Sequence, residues 1–289
     1  MRDAIIADLR TIPDMVVKTL DHVPPPAEAE LFHNLATESD AVLAIAPECR
    51  GLLEERFRWT VNAGSRWLGC SASAIRLTGD KRELTRFWHS QQIPTPITWP
   101  VAEWPMGRFP AVIKPVDGAG STATFRVDSA AELAIAIQQA EALGESRDRL
   151  IAQDYIPGHP ASVALLIHQG KVTPLRPTFQ YLSGDGRFHY LGGELPIPAA
   201  LESRAVDFVK GAVRGIPGLA GYVGFDLIMG DAPVGSDDVV IEVNPRLTTS
   251  YVGLRALAED CLGAILWQGF ETGYQPLPIR WKRYRIRFH

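Results

Sequence analysis

Apolar residues along this chain fall into short runs, and their spacing alternates between the two-residue period of strands and the 3.6-residue period of helices. Asp3 to Ala7 and Ala41 to Ala46 (AVLAIA) read as strands with a helix from Ala27 to Thr37 between them, the pattern of a small parallel sheet. Pro24, Pro25 and Pro26 form a rigid approach to that helix. At Thr78 the texture changes: TGDKRELTRFWHSQQIP carries a helix-start signal, an amphipathic body, and a stop at Pro94 and Pro96. Ala111 to Val116 (AVIKPV) is an apolar strand, and with the turn DGAGST and the β-prone TATFRV it predicts a hairpin with a flexible tip. Ser129 to Leu143 has helical period, and Leu150 to Tyr155 and Ala161 to His168 read as strands on either side of PGHP. Val223 to Met229 and Val239 to Val243 predict a strand pair, Ser250 to Phe270 a long helix, and repeats are absent.

The 289 residues and an apolar fraction of 46% allow a substantial core and more than one domain. A net charge of −4 argues against nucleic acid or an anionic membrane as partner, since both are usually approached through a basic field. Cys49, Cys70 and Cys261 are odd in number and widely spaced, which suits reduced thiols. The start MRDAIIADLR has charges on both sides of its apolar patch, unlike a secretory signal, and no apolar run reaches the length of a membrane span. A cytoplasmic protein is expected.

Lys114 interrupts an apolar strand just before Asp117-Gly118-Ala119-Gly120-Ser121-Thr122, a loop whose glycines let backbone N–H groups approach phosphate oxygens. A glycine hairpin with a snorkelling lysine is an equal reading of that segment alone. Asp226 lies in YVGFDLIM, while Glu242 and Asn244, two apart in VVIEVNPR, share one strand face. Pairing these strands would converge three oxygen ligands suited to a hard cation such as magnesium; a solvated carboxylate face is the simpler alternative. Arg246 follows at the strand end, where it could neutralise a phosphoryl group, and Thr248, Thr249 and Ser250 add hydroxyls, Ser250 also reading as a helix N-cap. Glu48 follows AVLAIA at the sheet's ligand-binding edge, although a solvated loop carboxylate accounts for it more simply. No GxSxG, HExxH or paired-cysteine motif occurs, and His22, His33, His89, His159, His168, His189 and His289 lack ligand spacing; His189, beside Tyr190 and Gly192-Gly193, is the one to follow.

Lys81 in GDK, Lys114 in VIKPVDGAGS, the hinge Gln153-Asp154-Tyr155-Ile156-Pro157-Gly158, Asp226 in GFDLI and Glu242-Val243-Asn244-Pro245-Arg246 together resemble the ATP-grasp superfamily over residues 75 to 270. The resemblance implies an α/β fold: an N-terminal parallel-sheet, pre-ATP-grasp domain (1–78), then a two-lobed ATP-grasp fold with antiparallel sheets, the phosphate-loop lobe spanning 79–155 and the metal-site lobe with a C-terminal strand 156–289. It implies that Lys81 and Lys114 bind ATP phosphates, that Gly118, Gly120, Ser121 and Thr122 close over them, and that Gln153, Asp154, Tyr155 and Ile156 meet adenine. Asp226, Glu242 and Asn244 would hold two Mg2+ ions, or Mn2+ in their place, with Arg246 and Lys114 as catalytic cations. Family members commonly carry a carboxylate at the position of Gln153 and another, for ribose, near Pro160; this chain has neither.

NPRLTTSYVGLR (244 to 255), RPTFQYL (176 to 182) and YLGGELPIP (190 to 198) more narrowly resemble the tyramine–glutamate ligases of methanofuran-type cofactor biosynthesis. That likeness implies a small-molecule acid, glutamate, joined to an amine such as tyramine or tyrosine through an acyl phosphate, with Arg176, Gly192, Gly193, Thr248, Thr249 and Ser250 as substrate residues. Another ATP-grasp amino-acid ligase or small-acid kinase, and an ATP-binding regulatory module, are the alternatives. The tail RWKRYRIRFH (280 to 289) reads as an edge strand blunted by charge or as a contact for a polyglutamyl substrate. Trp59, Trp67 and Trp88 read as core or subunit contacts, which leaves a homodimer open.

Overall fold

The computed structural model describes residues 1–20, 23–105, 107–272 and 278–289. His22 lies outside them. The chain opens on helices α1 (Arg2–Leu9) and α2 (Pro25–Thr37), then strand β1 (Ala41–Val42), helix α3 (Leu52–Asn62) and strand β2 (Arg66–Trp67). β1 and β2 pair in parallel. Two expectations are corrected here. Asp3 to Ala7 is helical, because Ile5 and Asp8, three apart on one face, are buried against the C-terminal part of the chain; Asp8 accepts from the Tyr251 hydroxyl and from Arg255 (2.9 and 2.6 Å). Of AVLAIA, only the first two residues form a ladder, and the whole run is half-buried.

Helices α4 (Ala72–Gly79) and α5 (Lys81–Ser90) follow. Asp80 caps α5, its carboxylate accepting from the Arg82 and Glu83 backbone N–H groups at 3.0 Å each, while Leu84 and Trp88, four apart, face the core. Strands β3 (Thr98–Pro100), β4 (Ala111–Pro115), β5 (Phe125–Val127) and, after helix α6 (Ala130–Ala142), β6 (Leu150–Asp154) make an antiparallel sheet in the order β3-β6-β4-β5. β4 and β5 are the expected hairpin. Helix α6 starts on a reciprocal cap: Ser129 Oγ accepts from the Glu132 N–H, and Glu132 accepts from the Asp128 N–H at 2.8 Å.

The segment 155–158 crosses to a second sheet, so the strands flanking PGHP belong to different sheets. That sheet holds β7 (His159–His168), β8 (Lys171–Pro174), β9 (Thr178–Leu182), β10 (Tyr190–Leu195) and, after helix α7 (Ala199–Ala212), β11 (Gly221–Met229) and β12 (Val239–Asn244). Helices α8 (Ser250–Leu257) and α9 (Leu262–Glu271) and strand β13 (Ile286–Phe288) complete the chain. The order is β12-β11-β7-β9-β10-β13, with β8 beside β7. The single helix expected over 250 to 270 is two helices, because residues 258–261 turn to meet the C-terminal segment: Ala258 bridges Trp281, and Glu259 N–H donates to Arg280 O (2.9 Å). β13 lies at the sheet edge, as expected of the tail.

Residues Ala161 to Ile167 of β7 are all buried, as a strand covered on both faces requires. Val163, Leu165 and Ile167 pack with Val223, Phe225, Leu53, Trp88 and Val209 on one face; Ala164 and Leu166 pack with Tyr222, Leu254, Leu257 and Ile5 on the other. A separate core joins β4, β5 and β6 to α6. Among the described residues no helix is long and apolar enough to cross a membrane, and all three cysteines are free thiols.

Candidate active site

A cavity of about 640 Å³ separates the two antiparallel sheets. Its floor comes from strand alternation in the larger sheet. The residues of β11 that face away from the Val223–Phe225 core include Asp226, which lies directly across the ladder from Glu242 on β12. Gly224 opposes Asn244 in the same ladder, two residues along. Two carboxylates and an amide thus stand together on one strand pair, as the sequence predicts. Asn244 Nδ2 donates to Asp226 Oδ2 (3.0 Å) and Gln180 Nε2 to Asp226 Oδ1 (2.9 Å).

The roof is cationic. Lys114 projects from β4 and Lys81 opens α5, and each is over nine-tenths buried. Lys81 Nζ lies 3.3 Å from Glu242 Oε2 and donates to Gly118 O at 2.6 Å, so one ammonium ties the glycine loop to the carboxylate floor. Burial pushes the Lys114 ammonium down to about 8, with Glu242 opposing that shift. On the floor, burial and the Glu242 charge push Asp226 up; Glu242 itself is held down, because Lys81 and Lys114 outweigh its burial. A divalent cation fits this donor set: two crowded carboxylates and an amide oxygen are hard ligands, and a cation would relieve their repulsion. Among the described residues no group of three or more His, Cys, Asp or Glu side chains forms a metal cluster, so phosphate oxygens or water must complete any coordination shell.

Gly118, Gly120 and Ser121 line the cavity; Thr122 does not. Gly120 and Ser121 both adopt positive φ (64° and 59°), the tight backbone that turns the loop toward the cleft. Ser121 Oγ donates to Phe188 O (2.8 Å), joining the loop to the β9–β10 connection. At the hinge, Gln153, Asp154, Tyr155 and Ile156 all line the cavity. Gln153 is buried with Nε2 donating to Thr98 Oγ1 (2.7 Å), Asp154 is held by Arg108 through two contacts of 2.6 Å, and Tyr155 stacks on Phe188.

Arg246 reaches the far end of the cavity beside Thr248, Thr249 and Ser250. Its Nε lies 3.0 Å from Glu48 Oε1, and its Nη2 donates to Glu48 Oε2 (3.2 Å) and Asn244 Oδ1 (3.4 Å). Glu48 is therefore a buried partner of the site's arginine, not a solvated loop carboxylate. The Tyr222, Thr248 and Ser250 hydroxyls close a ring of contacts at 2.7 to 3.1 Å beneath it.

Three expected substrate residues stand elsewhere. Arg176 is engaged by Glu202 on α7 through two contacts (2.9 and 2.8 Å). Gly192 and Gly193 press β10 onto β13: a Cβ at Gly193 would lie 2.5 Å from the Phe288 ring, and one at Gly192 2.7 Å from Phe288 O. Their smallness serves the strand pairing. His189 is exposed and does not line the cavity, although Phe188 and Tyr190 on either side of it do. Thr178, Gln180 and Tyr190, which fall within the segments 176–182 and 190–198 but are not singled out by the sequence, line the cleft, as does Ser162, which sequence reasoning missed. Ser162 carried a signal, being a hydroxyl inside the otherwise apolar run of β7.

Comparison with known proteins fits this geometry. An ATP-grasp domain model matches residues 78–250, and a pre-ATP-grasp domain model matches residues 1–75. The tyramine–L-glutamate ligase of Methanocaldococcus fervens is 30% identical over 247 residues, 86% of this chain and 72% of that protein. That of Methanocaldococcus jannaschii is 30% identical over 217 residues, 75% of this chain and 58% of that protein. Among solved structures, an ATP-grasp superfamily protein from Archaeoglobus fulgidus superposes with a TM-score of 0.62 at 27% identity, covering 83% of this chain and 69% of that one. With two lysines and a glycine loop facing a carboxylate floor, and family models matching both parts, the chain belongs to the ATP-grasp family.

Proposed function

We propose that this ATP-dependent, amide-forming ligase activates the side-chain carboxylate of glutamate as an acyl phosphate and transfers the acyl group to tyramine or a related amine. The observation that carries the reading is the opposition of two buried lysines to a paired aspartate and glutamate across one cleft, with Lys81 Nζ 3.3 Å from Glu242 Oε2. Neither set is settled alone: burial disfavours the Lys114 ammonium, and burial and the Glu242 charge disfavour the Asp226 carboxylate. A polyphosphate with its divalent cation satisfies both.

In this reading Lys114, Lys81 and the N–H groups of the Gly118 to Ser121 loop hold the phosphates, and the hinge 153–156 holds the base. Mg2+ bound by Asp226, Glu242 and Asn244 would supply charge neutralisation on the phosphoryl oxygens. The substrate carboxylate attacks the γ-phosphorus, the bond to the β,γ-bridging oxygen breaks, and ADP leaves. The amine then attacks the acyl carbonyl, loses a proton, and inorganic phosphate departs. Arg246, fixed by Glu48 and Asn244, is placed to offset the charge on the acyl-phosphate oxygens. The tyramine–glutamate ligase relatives support the choice of acid and amine.

The test is ADP release with glutamate and Mg2+ over a panel of tyramine, tyrosine, dopamine and simple amino acids, with mass spectrometry of the product. A γ-glutamyl amide is expected. ATP binding without product from any pair would overturn the reading.

A further inference from the structure

A single row of polar side chains crosses the cavity floor: Glu242 on β12 opposes Asp226 on β11, Asp226 opposes Ser162 on β7, and Ser162 opposes Thr178 on β9. The carboxylate end of that row is accounted for above. The hydroxyl end is not. Ser162 and Thr178 are 2% and 1% exposed, both line the cavity, and neither hydroxyl oxygen has a hydrogen-bond partner among the described residues. Buried hydroxyls without a partner carry an uncompensated desolvation penalty, and two of them side by side on adjacent strands are uncommon.

We propose that Ser162 and Thr178 form a subsite for a neutral hydroxyl group of the ligand, an inference that rests on the ligase reading for the identity of the molecule carrying it. Charge selects the group. Asp226, next in the row, repels an anion, and in the ligase reading a cation is held at the carboxylate end of the row by Asp226 and Glu242, which leaves the hydroxyl end to a neutral group. Serine and threonine hydroxyls each give one hydrogen bond and accept others, so a ligand hydroxyl, which does the same, satisfies both. A serine or threonine oxygen moves between staggered χ1 wells without any shift of the backbone.

Two parts of the proposed substrates present such a hydroxyl: the ribose diol of the nucleotide and the phenol of tyramine. A ribose there fits the place of Ser162 on β7, the strand that directly follows the hinge assigned to the base, both lining the same cavity. A phenol there fits the cleft's aromatic lining of Tyr181, Tyr190 and Phe188.

Calorimetric titration of wild type, Ser162→Ala and Thr178→Val distinguishes them. One arm compares ATP with 2′-deoxyATP and 3′-deoxyATP; the other, with nucleotide bound, compares tyramine with phenethylamine. Wild type should prefer the hydroxylated ligand about tenfold in one arm, and the variants should lose that preference to within about twofold while binding the deoxy ligand as wild type does. The arm in which this happens names the source. Thermal unfolding of the unliganded variants should match or exceed wild type, since an unpartnered hydroxyl has been removed. Wild type without preference in either arm, or variants that keep it, would overturn the subsite. Binding is read directly, so an enzyme that binds these ligands yet makes no amide would sink the ligase reading and leave the subsite standing.

Discussion

Glu48 and Arg246, 198 positions apart, meet as a buried ion pair with 3.0 Å between Oε1 and Nε. The contact joins the turn after the N-terminal strand to the strand end that bears the candidate metal ligands. Removing one partner leaves the other charge uncompensated. Glu48→Ala should therefore destabilise the protein by about 3 kcal/mol in denaturant unfolding. Turnover should fall as well, because Arg246 would keep only its contacts to Asn244 and Leu247 O. Wild-type stability and rate in the variant would mean that the pair is incidental.

Lys114 is depressed to about 8 by burial, and the ammonium form is the one that holds phosphate. Nucleotide affinity should decline as pH rises above about 8, and Lys114→Met should bind weakly with a flatter profile across the same range. The unliganded protein should show the opposite trend. Between about 8 and the unfolded lysine value of 10.5 the unfolded state binds more protons, so stability rises with pH there in wild type and does not in the variant. Nucleotide titrations and denaturant unfolding at pH 7, 8, 9 and 10 read both.

The Asp226–Glu242 pair is braced without a cation and should gain further from one. Asp226→Asn removes the repulsion but also one of the two acceptors used by the Gln180 and Asn244 amides, so the unliganded variant should stay within about 1 kcal/mol of wild type. It should lose the Mg2+-dependent thermal shift with nucleotide and nearly all turnover. A Mg2+-dependent shift retained in the variant would show that Asp226 does not hold the ion.

Chelation should act on chemistry rather than on folding. EDTA should abolish ADP release in wild type while leaving its unliganded melting curve in place, since the floor is already braced by Gln180, Asn244 and Lys81. A melting temperature that falls on chelation would indicate a structural ion instead.

Asp8 anchors α1 to α8 through Tyr251 and Arg255. Asp8→Ala should cost about 3 kcal/mol of stability, and at temperatures where the variant is folded its turnover should match wild type. A large loss of turnover in folded Asp8→Ala would place α1 within the catalytic machinery.

Where local pattern and tertiary environment agree, the sequence is a good guide. β7 is buried on both faces from Ala161 to Ile167 and is apolar there except for Ser162; on β12 Glu242 and Asn244 stand two apart among apolar residues, and on β11 Asp226 is the one charge in an apolar run. Elements set by distant contacts are harder to see. The apolar patch in α1 is four residues long, too short to separate helix from strand, and what settles it is Asp8 meeting residues more than 240 positions away. Glu48 has the same difficulty: nothing nearby in the chain distinguishes a loop carboxylate from the partner of Arg246. Gly192 and Gly193 looked like a substrate loop because glycine close to a ligand and glycine close to another strand leave the same trace.

The bond from Ser121 Oγ to Phe188 O ties the glycine loop to the β9–β10 connection, and Tyr155 of the hinge rests on that same phenylalanine. One residue thus couples the part of the cleft assigned to the phosphates with the part assigned to the base. A ligand that displaces the glycine loop must break this tie or carry the β9–β10 connection with it, so the two ends of a nucleotide would be felt by a single side chain.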